Sequence, residues 1–197
     1  MVAAWIPQLS RGILALALGL VITLTLDHAP TFGLVTFGVF AALTGAVLVV
    51  GTLRGAYAGR MSAAFLAQGA ISVAAGVVSL ALAPTGTTVI FAVAVGLWAV
   101  VAGMLETVSG MLSRGRLLIA RDWIIAGVLT AVLGAIALLV PPDFVQAFSG
   151  QKGVSGTLTA SVILIGIVGA WAILVGVLQT ISAVTLRTAR APRTVAS

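Results

Sequence analysis

Residues 96–111 read GLWAVVAGMLETVSGM, and residues 169–184 read GAWAILVGVLQTISAV. Gly96 matches Gly169, Trp98 matches Trp171 and Gly103 matches Gly176; Glu106, Thr107 and Ser109 then match Gln179, Thr180 and Ser182. A third stretch, GVFAALTGAVLVVG at 38–51, sets Gly38, Phe40, Gly45 and Leu48 in the same places. Small residues recur at intervals of three and four, as in Ala92, Gly96, Ala99 and Gly103, and Glu106 and Gly110 continue the same spacing. That spacing draws one stripe along one face of a helix. Three related copies in one chain make internal repetition the primary signal.

A second repeated set lies between these. RGILALALG (11–19), QGAISVAAG (68–76) and AGVLTAVLG (126–134) each hold two glycines seven residues apart: Gly12 and Gly19, Gly69 and Gly76, Gly127 and Gly134. The third residue after the first glycine is Ala15, Ser72 or Thr130. Each stretch then runs to a proline, Pro30, Pro84 or Pro141. The repeating unit is therefore a hairpin: one helix, a proline turn, and a second helix carrying the Gly-x-Trp or Gly-x-Phe stretch.

Composition places these hairpins in a bilayer. Hydrophobic residues make up 61% of the 197 residues and charged residues 7%, against roughly 25% charged in soluble domains. Six mostly apolar stretches, at about 11–28, 32–53, 62–83, 88–112, 120–140 and 158–186, each approach the ~20 residues needed to span. The first follows Arg11 directly and lacks a convincing cleavage site, so it is read as a mature helix. The expected fold is all-α and polytopic, a single membrane domain over 1–197 with hairpins at about 8–54, 62–113 and 120–187 and a basic tail at 188–197. Because the copies enter and leave on the same side, their pseudo-symmetry axis should run along the membrane normal.

Charge gives the orientation. Arg11, Arg54, Arg60, Arg114, Arg116, Arg121, Arg187, Arg190 and Arg193 fall near one set of helix ends, whereas Lys152 falls on the other. The positive-inside rule puts the arginine side, with both termini, in the cytoplasm. The net charge of +6 is then a matter of topology and lipid contact, not nucleic-acid binding. The lipid bilayer is the expected partner; a homo-oligomer, another membrane protein or a small-molecule ligand is left open.

Catalytic and cofactor chemistry finds little support. The chain has no cysteine, one histidine and four acids, which leaves no metal-ligand cluster, and no nucleophile elbow, zincin helix, Walker loop or dinucleotide fingerprint is present. No cofactor and no enzyme activity are expected.

Small residues let helix backbones approach where lipid offers little hydrophobic drive for association. Gly38 and Gly45, Gly96 and Gly103, and Gly169 and Gly176 are accordingly expected to form the packing face, through which helices 2, 4 and 6 approach one another. Glu106 lies on that face, about seven residues or ~10 Å from the helix end. An ionised carboxylate there costs up to ~3 kcal/mol on insertion scales. Glu106 and Gln179 form the candidate intramembrane polar site, with two readings: hydrogen-bonded glue, which an amide at Gln179 serves equally well, or a proton or cation site. A carboxyl so placed stays at least partly protonated unless an arginine such as Arg54, Arg114 or Arg116 reaches it.

Trp98 and Trp171 fall inside their spans, as packing residues or as the lining of an apolar ligand site, whereas Trp5 and Trp123 suit the interfacial belt. His28 beside Asp27 is a solvated loop residue or a sensor of acidity. Asp122 suits the positive start of helix 5.

The glycine pairs, the proline turns and the motif carried by Gly96, Trp98 and Gly103 and by Gly169, Trp171 and Gly176, with Trp123, Gly127, Gly134 and Pro141, resemble the HdeD-like family of bacterial inner-membrane proteins. The likeness runs from about residue 8 to 187 and departs at Phe40, where the other copies have Trp. The resemblance implies a six-helix membrane protein with a structural or acid-stress role, and it implies no catalytic or ligand-binding residues. The alternative is a small transporter or channel working through Glu106. A continuous hydrated path would favour transport, and a closed centre would favour the structural role.

Overall fold

The computed structural model describes residues 4–149 and 155–189. It is built on six long helices: α1 (Trp5–Leu24), α2 (Pro30–Leu53), α3 (Arg60–Leu82), α4 (Thr88–Leu112), α5 (Ala120–Leu139) and α6 (Ala160–Ala189). All six are long and apolar enough to cross a membrane. Their outer faces carry exposed Leu20, Leu43, Leu97, Met104, Leu174 and Ile181, while Gln8, Arg11, Gln68, Glu106 and Gln179 are buried. Apolar outside and polar inside is the arrangement that a hydrocarbon solvent imposes.

The two ends of the bundle turn by different means. At the proline end, Ala29 is extended ahead of Pro30, which starts α2, as the steric demands of proline require. Asp27 supports this turn by accepting from the Ala29 amide at 2.8 Å. Pro84 lies in a 3-10 turn, Ala83–Thr85, after α3. At the basic end, the α2–α3 and α4–α5 turns use Gly55 and Gly115 at φ 80° and 73°, where a Cβ would be strained. The α5–α6 connection adds a two-stranded antiparallel ribbon of β1 (Val145–Ser149) and β2 (Ser155–Thr159), which the sequence reading did not anticipate. Lys152 and residues 190–197, the bulk of the basic tail, lie outside the described residues; 188 and 189 continue α6.

The helices form a ring in chain order, closed by α1 against α6, with the most intimate packing in the pairs α2–α3, α4–α5 and α6–α1. These seams join one repeat to the next. Six glycine pairs build them: Gly38 with Gly76 and Gly45 with Gly69, Gly96 with Gly134 and Gly103 with Gly127, Gly169 with Gly19 and Gly176 with Gly12. In each pair a Cβ added to one glycine would lie 2.5–3.3 Å from the carbonyl oxygen of the other.

The expectation that helices 2, 4 and 6 approach one another through these stripes is therefore corrected. The glycines of each even helix face the next odd helix, because only there are two glycines opposed, so that both backbones lack the Cβ that would hold them apart. The even helices make only limited contacts among themselves, and their aromatic side chains supply a meeting point on the axis.

Candidate functional site: the polar centre of the ring

Phe40, Trp98 and Trp171 occupy the same register on α2, α4 and α6, and their rings meet edge to face. Centroid separations are 6.0 Å for Phe40–Trp98, 5.8 Å for Phe40–Trp171 and 5.8 Å for Trp98–Trp171. Aromatic quadrupoles favour this geometry. Each indole N–H must find an acceptor when buried. Trp98 Nε1 donates to Ser72 Oγ at 2.9 Å, and Trp171 Nε1 donates to Thr130 Oγ1 at 3.1 Å. In the first repeat the ring is Phe40, which has no N–H, and the residue at the hydroxyl position is Ala15. The two departures compensate each other. The side chains of both tryptophans are thus buried and axial, although one edge of Trp98 also lines an open apolar groove between α3 and α4.

Two turns along the even helices, toward the basic end, the corresponding residues are Leu48, Glu106 and Gln179. All three are buried. Opposite them, one residue before the first glycine of each odd helix, stand Arg11, Gln68 and Ala126. Arg11 Nη1 and Nη2 donate to Glu106 Oε1 and Oε2 at 3.0 and 2.8 Å, and Gln68 Nε2 donates to Glu106 Oε2 at 3.3 Å. Side-chain exposures of 5% for Arg11 and 2% for Glu106 make this a buried, bidentate ion pair.

This pair corrects two expectations. Arg11 does not flank α1 as a topology marker; it lies inside a helix that begins at Trp5 and ends at Leu24, earlier than the 11–28 span. The arginine that reaches Glu106 is Arg11, not Arg54, Arg114 or Arg116. Hydropathy reads an arginine as an end of a span, but a guanidinium matched to a carboxylate can be held within one. Gln179 is buried at the same register, and no direct hydrogen bond joins it to the pair among the described residues.

A second aromatic layer lies on the basic side of the pair. Tyr57 stacks on Phe65 with centroids 4.2 Å apart, and Trp123 meets Phe65 edge to face at 5.0 Å. Trp123 is 1% exposed and its Nε1 donates to Gln8 Oε1 at 3.3 Å, so it is a core residue and not a belt residue. Trp5, by contrast, is partly exposed, with the Arg187 guanidinium 5.2 Å above its ring. Burial pushes the Tyr57 phenol up to about 12, with the charge of Glu106 adding to the rise and that of Arg11 opposing it. Asp122 sits in the first turn of α5 and also accepts from Ser182 Oγ of α6 at 2.6 Å. His28 is half-buried, with Nδ1 3.1 Å from the Leu26 carbonyl.

Between the two aromatic layers is a cavity of about 20 Å³, lined among others by Arg11, Thr44, Gln68, Glu106, Trp171 and Gln179. Among the described residues no group of three or more His, Cys, Asp or Glu is placed to hold a metal ion.

A family model described as a short repeat of unknown function (DUF308) matches residues 67–139 and 157–196, more than half of the chain. The chain belongs to the DUF308 family. No curated protein and no solved structure matches it. The matched DUF308 segments take in most of α3, all of α4 and α5, and the length of α6, with Trp98, Glu106, Trp171 and Gln179. They leave out α1 and α2, the hairpin that carries Arg11, Ala15, Phe40 and Leu48. Both partners of the Phe40–Ala15 compensation, and the arginine that binds Glu106, are therefore contributed by the part of this chain outside the DUF308 match.

Proposed function

We propose that this DUF308 protein is HdeD-like, a protein of the bacterial cytoplasmic membrane with a structural role protecting the cell under acid stress, and with no catalytic step of its own. The observation that carries the structural part of this reading is the Arg11–Glu106 pair, and the acid-stress part rests on the resemblance to the HdeD-like family. A carboxylate engaged by both arms of a guanidinium, beside a cavity of about 20 Å³, is suited to hold helices together. A transporter using Glu106 needs a wider hydrated path and a carboxylate free to exchange its proton. Arg54, Arg60, Arg114, Arg116 and Arg121, gathered at the basic end, favour a cytoplasmic position for that end and both termini.

Acid survival of a deletion strain tests the role. Complementation by wild type should restore survival, and so should an Arg11→Leu/Glu106→Leu variant present at wild-type level in the membrane. Failure of that variant despite a normal level would support proton or cation handling by Glu106, and no acid phenotype in the deletion strain would remove the stress role. Reporter fusions at Ser197 and Gly153 should report opposite compartments; a shared compartment would break the orientation.

A further inference from the structure

Four buried polar atoms around the central cavity have no hydrogen-bond partner among the described residues: Arg11 Nε, Thr44 Oγ1, Gln68 Oε1 and Gln179 Oε1. All four residues line that cavity, and each is at most 4% exposed. Unpaired groups so deeply buried are costly, more so at a depth where bulk water does not reach. Their chemistry forms a set. The Arg11 Nε–H only donates, the amide oxygens of Gln68 and Gln179 only accept, and the Thr44 hydroxyl supplies a second donor. The orientation of the Gln68 amide is fixed by its Nε2, which donates to Glu106.

We propose that the cavity is a binding site for a single water molecule, coordinated by Arg11, Thr44, Gln68 and Gln179. Water accepts two hydrogen bonds and donates two. It accepts from Arg11 and Thr44 and donates to Gln68 and Gln179, so each orphaned atom gains one partner. The size agrees: about 20 Å³ exceeds the roughly 10–15 Å³ needed for one water. A metal cation is opposed by the guanidinium and its inward N–H, and an anion by the Glu106 carboxylate and two amide oxygens. The bound water is also what joins the third repeat to the ion pair, since Gln179 has no direct bond to it. This inference stands apart from the acid-protection reading and is tested without any phenotype.

The test is radiolytic hydroxyl labelling in H2(18)O, read by mass spectrometry, on the full chain in nanodiscs. Internal water generates radicals in place, so Trp171, which lines the cavity, should be labelled severalfold more than Trp123, which is buried outside it. Gln179→Leu should bring Trp171 down to the level of Trp123, and the fold should tolerate the change because Leu48 already stands at the matching place. Thr44→Val, which removes a different partner, should lower it in the same direction. Equal labelling of the two tryptophans in the wild-type protein overturns the proposal, as does Trp171 labelling that both variants leave unchanged. Labelling that depends on sodium in place of choline also overturns it, in favour of a cation.

Discussion

Along the seams, the three repeats are close copies: two opposed glycine pairs in each, with one backbone against another at every crossing. Two turns beyond the axial aromatic rings, the copies diverge entirely, into Leu48, Glu106 and Gln179 on the even helices and Arg11, Gln68 and Ala126 on the odd ones. The difference follows from what each region must satisfy. Backbone contact is a local requirement that every copy meets in the same way. Charge at the axis is shared by all three copies, and three glutamates or three arginines there would repel one another in a low dielectric. One ion pair with two amides and two apolar residues is neutral, so repetition is kept where the demand is steric and lost where it is electrostatic.

The largest loss of stability is expected at the ion pair. Arg11→Leu alone, which leaves the carboxylate buried and unpaired, should cost about 3–5 kcal/mol, and Glu106→Leu should cost a similar amount. Glu106→Gln should also destabilise, because an amide cannot neutralise Arg11, even though helix α6 uses glutamine at this register. The double Arg11→Leu/Glu106→Leu variant should be more stable than either single variant in thermal unfolding in detergent. Additive losses would show that the two charges are not coupled.

A smaller loss is expected at a seam. In Gly103→Leu the new Cβ alone would stand 2.5 Å from the Ala131 amide nitrogen and the Gly127 carbonyl, at a cost of about 1–3 kcal/mol by analogy with overpacked cores. Leu112→Ala, at an exposed position on the same helix, should change stability by less than about 0.5 kcal/mol. Equal losses from the two would deny the seam its special place.

The axial hydrogen bonds lie between these cases. Ser72→Ala leaves the Trp98 N–H without its acceptor and should cost about 1 kcal/mol. Adding Trp98→Phe should recover much of that loss, since the pair then matches Phe40 and Ala15. A thermal-stability cycle in which the two changes add independently would show that the first repeat is no guide to the others.

The smallest effect at neutral pH is expected at Tyr57, whose buried hydroxyl has no partner among the described residues. Its phenol is pushed up to about 12 in the folded protein, above the ~10 of a free tyrosine. A raised value means that the folded state holds the proton more tightly. The contribution is complete below about pH 10 and is lost as pH rises toward 12. Tyr57→Phe should leave stability at pH 7 nearly unchanged and flatten the decline above pH 10 in alkaline melts.

The spans and the glycine registers were legible because hydropathy and helical period are local properties. Gly38 through Gly176 were identified as packing residues from spacing alone, but spacing does not name the opposing helix, and the opposition of Gly103 to Gly127 appears only when the odd and even sets are laid side by side. Arg11 was misread because its partner lies 95 residues away. A signal for it existed: Arg11 and Gln68 both precede the first glycine of their helices, a polar residue inside two spans at one register. Trp123 suits the interfacial belt by its sequence position, and only tertiary packing shows Tyr57 folding back against it. The β1–β2 ribbon left no comparable periodic mark.

The closing of the ring by its first and last helices has a consequence for biogenesis. Arg11 enters the bilayer on α1 while its acceptor, 95 residues downstream, has yet to be made. At about 5–20 residues per second the ribosome takes roughly 5–20 s to supply it, and the α6 seam comes later still. During that interval the guanidinium has no carboxylate partner, and a long side chain near a helix end relieves the cost of lipid by reaching toward the interface. The nascent chain thus carries an unneutralised charge on its first helix until its second half is made, and the final seating of Arg11 is completed only when α4 arrives.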